Sequence, residues 1–136
     1  MGVVDANEVG AMTPEADLGP FLTIEAVARR GGVPLGQVAE WTGSDRLVAV
    51  PTSDGSALYP AAQWPNGSAV GPHEVGVAEV VKVLREAGCG WLTIAQWFQA
   101  SDQRFSGMNA WQWLHAGGAM ARVVSAARSD AARWAQ

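Results

Sequence analysis

Cys89 stands between Gly88 and Gly90 and is the chain's single cysteine, so no internal disulfide can form. It has no local base, and no G-x-S-x-G elbow occurs anywhere, so nucleophilic catalysis has nothing to carry it. The two histidines, His73 and His115, are 42 positions apart, and neither has a second ligand at i+3 or i+4, the spacing that puts two donors on one helix face. The pairs Gly31-Gly32 and Gly117-Gly118 fit neither G-x-x-x-x-G-K-[ST] nor G-x-G-x-x-G, so no phosphate cradle is expected. These residues predict a protein without catalytic residues, metal or cofactor. Enzyme is the losing class.

Residues suited to binding remain. The chain has seven Trp against one Tyr and three Phe, and its nine basic residues are eight Arg and Lys82. Trp41, Trp97 and Trp134 fall on apolar helical faces and are expected in the core. Trp111 and Trp113 are two apart on a predicted helix and cannot share a face, so one of them should point outward. An outward Trp is either an interface anchor, since aromatic side chains dominate binding hot spots, or a cover over a loop or over the rest of the protein.

The background composition limits what these residues could serve. At 49% hydrophobic and 16% charged, the 136-residue chain is too apolar for intrinsic disorder. Its mean hydropathy is +0.05 and its pI near 5.0. No stretch approaches the roughly 18 apolar residues of a membrane span. The N-terminus, MGVVDANEVG, lacks a basic and an apolar leader region, and Ala6 stands where a myristoylation signal wants Ser or Thr. With an Arg-over-Lys and Ala/Gly/Val bias typical of GC-rich coding sequences, the expected setting is the bacterial cytoplasm, with no membrane partner.

Four segments must position the binding residues. Residues 1–20 hold Asp5, Glu8, Glu15 and Asp17 without a basic residue and read as a disordered acidic tail. Residues 21–64 form a first unit, residues 65–72 a turn-rich linker, and residues 73–136 a helical second unit. The net charge of -4 belongs to the tail: the first unit carries -1 and the second +1. The overall acidity therefore says little about a nucleic-acid partner.

In the first unit, Thr23 is a good N-cap, Glu25 suits the first turn, and Leu22 with Val27 occupy staple positions. Gly31-Gly32 should end this helix, and Pro34 should open a second one running to about Thr42. Residues 46–50 and 57–59, flanking the Asp54-Gly55 turn, read as a hairpin. Helix, turn, helix and hairpin make a winged helix-turn-helix. The predicted fold class is therefore mainly α, a small winged helix-turn-helix with one hairpin followed by a compact helical module.

In the second unit, Val77, Val80, Val81 and Leu84 make an apolar stripe over residues 73–87, which Gly88-Cys89-Gly90 breaks. Thr93 and Gln96 form a capping box that should start the next helix, with Leu92 and Trp97 as its staple. A short helix over residues 109–115 follows, and then a last helix from Ala119 towards Trp134. Met120, Val123, Val124, Ala127, Ala131 and Trp134 form its stripe, opposite Arg122, Ser129 and Arg133.

Leu22, Thr23, Val27, Ala28, Gly32 and Val33 match the LT-x-x-x-VA-x-x-x-GV pattern, so residues 22–64 resemble the helix-turn-helix of MerR- and excisionase-type regulators. The run Tyr59-Pro60-Ala61-Ala62-Gln63-Trp64 is similar to an ending found in antitoxin-like proteins. Residues 91–127 resemble the Xre/MbcA/ParS toxin-binding domain of RES-type toxin-antitoxin pairs. Phe105, Gly107, Trp111, Leu114, Gly117-Gly118, Val123 and Ala126-Ala127 occupy the signature places, and Ala110 stands where that family has a helix-starting proline. This resemblance implies an antitoxin that binds a cognate toxin through its C-terminal domain and regulates its own operon. Trp111, Trp113, Arg122, Arg128 and Arg133 are the expected toxin contacts.

On the DNA side, the second helix would enter the major groove, yet it offers Leu35, Gly36, Gln37 and Glu40 and no basic residue. Gln37 could read adenine, and Arg29, Arg30 and Arg46 could meet phosphates. The unit is then either a low-affinity DNA reader working as a homodimer or a module kept for dimerisation. The alternative to the antitoxin is a winged-helix regulator or excisionase-type protein whose C-terminal helices dimerise it.

Overall fold

The computed structural model describes residues 20–64 and 75–134. The expected tail, apart from Pro20, the 65–72 linker and His73 lie outside the described residues. Helix α1 spans Ile24–Gly31, and the Thr23 hydroxyl caps it by accepting the Ala26 N–H at 3.2 Å. Gly32, at φ +66°, closes it in the left-handed conformation that suits glycine. Helix α2 spans Leu35–Gly43 with Pro34 as its N-cap. Val27, Ala28 and Val38 are buried between the two helices, which gives the expected helix-turn-helix.

The hairpin is shorter than predicted and the sheet is wider. Strand β1 (Phe21–Leu22), which the sequence reading missed, pairs antiparallel with β3 (Ala57–Pro60), and β2 (Val50–Pro51) lies on the other side of β3. The strand expected over residues 46–50 begins only at Val50: Arg46 and Leu47 form a bend, and Val48 and Ala49 have no ladder partner. Continuing the register Val50↔Leu58 would place Val48 opposite Pro60, which has no N–H to give. Gln63 replaces the missing partner. Its side chain accepts the Val48 N–H at 2.8 Å and donates to the Val48 carbonyl at 2.7 Å and the Pro60 carbonyl at 3.2 Å.

The second unit contains α3 (Val75–Glu86), α4 (Trp91–Gln99), a 3-10 turn at Gln103–Phe105, α5 (Ala110–His115) and α6 (Met120–Trp134). Helix α4 begins earlier than its apparent capping box implies. Gly88 takes φ +95° and Gly90 is extended, so Gly90 becomes the N-cap and its carbonyl accepts the Ile94 N–H at 3.0 Å. Thr93 is thereby an exposed residue of the first turn. The reciprocal box occurs instead at α5: Asn109 Oδ1 accepts the Gln112 N–H at 2.8 Å, while Gln112 Oε1 accepts the Asn109 N–H at 2.9 Å.

Helices α3 and α6 are the principal packed pair. Val77, Val80, Val81 and Leu84 meet Val123, Ala126 and Ala127, with Ile94, Phe98, Phe105 and Trp111 completing the core. Trp134 is 45% exposed and does not belong to it, since the last turn of α6, residues 132–134, is exposed. Trp41 and Trp97 are half-buried. Among the described residues, no helix is long and apolar enough to cross a membrane. The fold is mainly α with a small antiparallel sheet, as the fold-class reading expects.

Two apolar clusters meet at residues 47–49. Leu47 and Ala49 face the helix-turn-helix core and Val48 faces the bundle core, joined there by Phe21. Gln63→Ala would leave the buried Val48 N–H and carbonyl without their partner. It should cost about 2–4 kcal/mol of unfolding free energy in urea titrations.

Candidate nucleic-acid interface

On α2 the solvent side consists of Leu35, Gly36, Ala39, Glu40 and Gly43, while Val38 faces inward. Most of these residues are small, so the exposed face of the helix is smooth. Gln37 lies at its edge, and its Nε2 donates to Glu40 Oε1 across a long 3.4 Å contact. Arg29 is exposed, Arg30 and Arg46 are half-buried, and none of the three has an acidic partner among the described residues.

The turn between β2 and β3 forms the wing. Asp54 accepts the Thr52 hydroxyl and the Ser56 N–H, the latter at 3.0 Å, and Gly55 completes the turn at φ +88°. Those hydrogen bonds, led by Thr52, hold Asp54 below the usual carboxylate range. Behind the wing, a groove of about 770 Å³ reaches the start of α1 and the end of α2, and Thr23, Thr42, Thr52, Ser53 and Ser56 line it. Thr42 donates its hydroxyl to the Val38 carbonyl at 2.8 Å, which leaves the Tyr59 hydroxyl to donate to Thr42 at 2.7 Å. Burial pushes Tyr59 up, so it keeps that proton. This bond fixes the wing strand to α2.

The residues expected to meet a toxin are occupied differently. Trp111 is 2% exposed and stacked on Phe98 with centroids 4.2 Å apart, so it is a core residue rather than a surface contact. Trp113 is half-buried: its Nε1 donates to the Ala119 carbonyl at 3.1 Å, and the Arg122 guanidinium lies 5.6 Å from its ring. The second of the two roles open to an outward Trp, covering a loop, is the one it fills. Arg128 pairs with Glu79 across α3 and α6, and Arg133 pairs with Asp130.

Asp130 is the polar centre that the sequence reading missed. It is 4% exposed, yet it accepts the Trp97 Nε1–H at 2.8 Å and pairs with Arg104 at 2.9 Å. Arg104 also pairs with Asp102, the cap of the 3-10 turn, at 2.6 Å. Nothing in sequence spacing links Asp102, Arg104 and Asp130, because the last lies a whole helix away.

Burial alone would raise the Asp130 pKa, but the bonds from Arg104, Trp97 and Arg133 outweigh it and leave it below the usual range. Arg104 holds Asp102 low as well. A lowered folded pKa gives stability that is present above the unfolded value of about 4 and is lost as pH falls through the folded value. Asp130→Asn should therefore cost about 1–3 kcal/mol near pH 7, with Arg104 partly screened by solvent. In urea titrations the gap between its stability and that of the wild type should begin to narrow as pH falls below about 4.

No family model matches the chain, and no curated protein matches it. Among solved structures it is similar to Rv2175c, determined by NMR, with 26% identity and a TM-score of 0.58. The alignment covers 82% of this chain and 81% of that one. That coverage exceeds either unit alone, so the likeness includes both the winged helix-turn-helix and the helical bundle.

Proposed function

We propose that the protein is a winged helix-turn-helix DNA-binding protein of the bacterial cytoplasm that acts as a transcription regulator. The observation that carries this reading is the difference between its two sets of arginines. Arg29, Arg30 and Arg46, beside α2, are unpaired among the described residues, whereas Arg128 and Arg133 on α6 are held in ion pairs and Arg122 lies over Trp113. Unpaired arginines are free to displace counterions from phosphates. A symmetric homodimer would place two copies of α2 on successive major-groove turns.

Few phosphate contacts imply weak, shallowly salt-dependent binding. The wild type should bind duplex from its own promoter at about 50 mM salt, with log affinity falling by roughly 0.9 per phosphate contact for each unit of log salt. The double variant Arg29→Ala/Arg30→Ala should bind at least tenfold more weakly and lose about two units of that slope. Asp54→Asn should tighten binding by removing a negative charge from the wing. Anisotropy titrations read all three, and a wild type that binds no duplex at low salt overturns the proposal.

A second reading follows the resemblance to toxin-binding domains and places a cognate toxin on α6. An open groove of about 750 Å³ between α3 and α6, lined by Met120, Ala121, Val124, Ser125 and Arg128, favours it. Co-expression with the neighbouring gene product tests this antitoxin role, and failure to co-purify ends it.

A further inference from the structure

The acid on the recognition helix needs an explanation that phosphate binding cannot give. Glu40 is exposed on the solvent side of α2, flanked by Gly36, Ala39 and Gly43, with no cation in reach among the described residues. Among the described residues its side chain accepts only the long bond from Gln37. The major-groove floor is rich in acceptors: N7 and O6 of guanine, N7 of adenine and O4 of thymine all repel a carboxylate. Cytosine and adenine each present an exocyclic amino donor there, but only cytosine does so without an acceptor beside it on the same base, so it accommodates a carboxylate best. The small neighbours let the helix backbone approach closely enough for a short acidic side chain to reach base edges.

We infer that Glu40 is a base-reading residue that selects duplex sites presenting a cytosine amino group opposite the middle of α2. The inference rests on the DNA-binding reading above. The phosphate contacts of Arg29, Arg30 and Arg46 favour every duplex alike, so the choice among sites falls to α2, where the carboxylate adds repulsion if guanine or thymine stands opposite. Glu40 thus lowers affinity for bulk DNA and sharpens the choice among sites.

The test is selection from a random duplex library by the wild type and by Glu40→Gln, followed by titration of both on the selected site and on its single-base variants. Glu40 is exposed, so the variant should fold, and circular dichroism checks this. The wild type should enrich cytosine at one position and lose about tenfold in affinity when that base is changed. Glu40→Gln should shift that single position towards adenine, the partner of a carboxamide, and bind random duplex more tightly. If the variant selects the same bases at every position, with affinity changed equally on all sites, Glu40 faces backbone only and the inference fails while the DNA-binding reading stands. If the wild type binds no duplex, both fail.

Discussion

Val48 is buried between two apolar clusters, and its peptide groups have no strand beside them. A buried N–H or carbonyl without a partner costs as much as a lost hydrogen bond, so the fold needs a substitute for the missing ladder. Gln63 supplies it through both ends of one carboxamide. Residues 47–49 can then send alternate side chains into opposite cores. The winged unit and the bundle are consequently joined through shared packing, with Phe21 and Val48 of the first unit among α3, α4 and α6 of the second. The wing starts at the very next residues, so its position also derives from this join.

What could be read from the sequence depended on how local the physics was. Thr23 and Gly32 act within one turn of α1, and both ends of that helix fall where their side-chain chemistry predicts. The apparent box at Thr93 and Gln96 has the same local form, but two glycines upstream let the chain enter the helix sooner, and an available Gly90 displaced the better capping side chain. Strand β1 holds only Phe21 and Leu22, too few residues for an alternation to register. The Gln63 clasp and the Asp130 cluster join positions 15 to 33 apart, and no periodicity encodes such a meeting.

For the binding residues, type was legible and environment was not. The spacing of Trp111 and Trp113 requires them to diverge, which they do, yet the less buried ring is covered by Gly118 and the Arg122 guanidinium instead of standing free. A side chain on Gly118 would overlap the Trp113 ring, so glycine there has a packing reason. The arginines of the second unit look like a basic outer face in sequence. In the structure Arg104 and Arg133 serve one buried aspartate, and Arg128 serves Glu79.

The bundle also shapes the charge of the proposed DNA surface. Asp45 adjoins Arg46 in the chain and could neutralise it, but the left-handed backbone at Asp45, φ +62°, turns its carboxylate to Arg85 of α3 at 3.0 Å. Arg85 is held from the other side by the Trp91 ring, 4.3 Å away. An exposed pair of this kind adds little to stability, about 0–1 kcal/mol. Its effect is on availability, since it occupies the acid closest in sequence to Arg46. With Asp45 occupied, the winged unit presents Arg29, Arg30 and Arg46 against Glu25, Glu40 and Asp54, a surface without net charge. Such a surface draws little from the uniform phosphate field, so any preference for one duplex over another must come from the atoms that meet base edges. On α2 those atoms belong to Gln37, Glu40 and the Leu35 methyl groups.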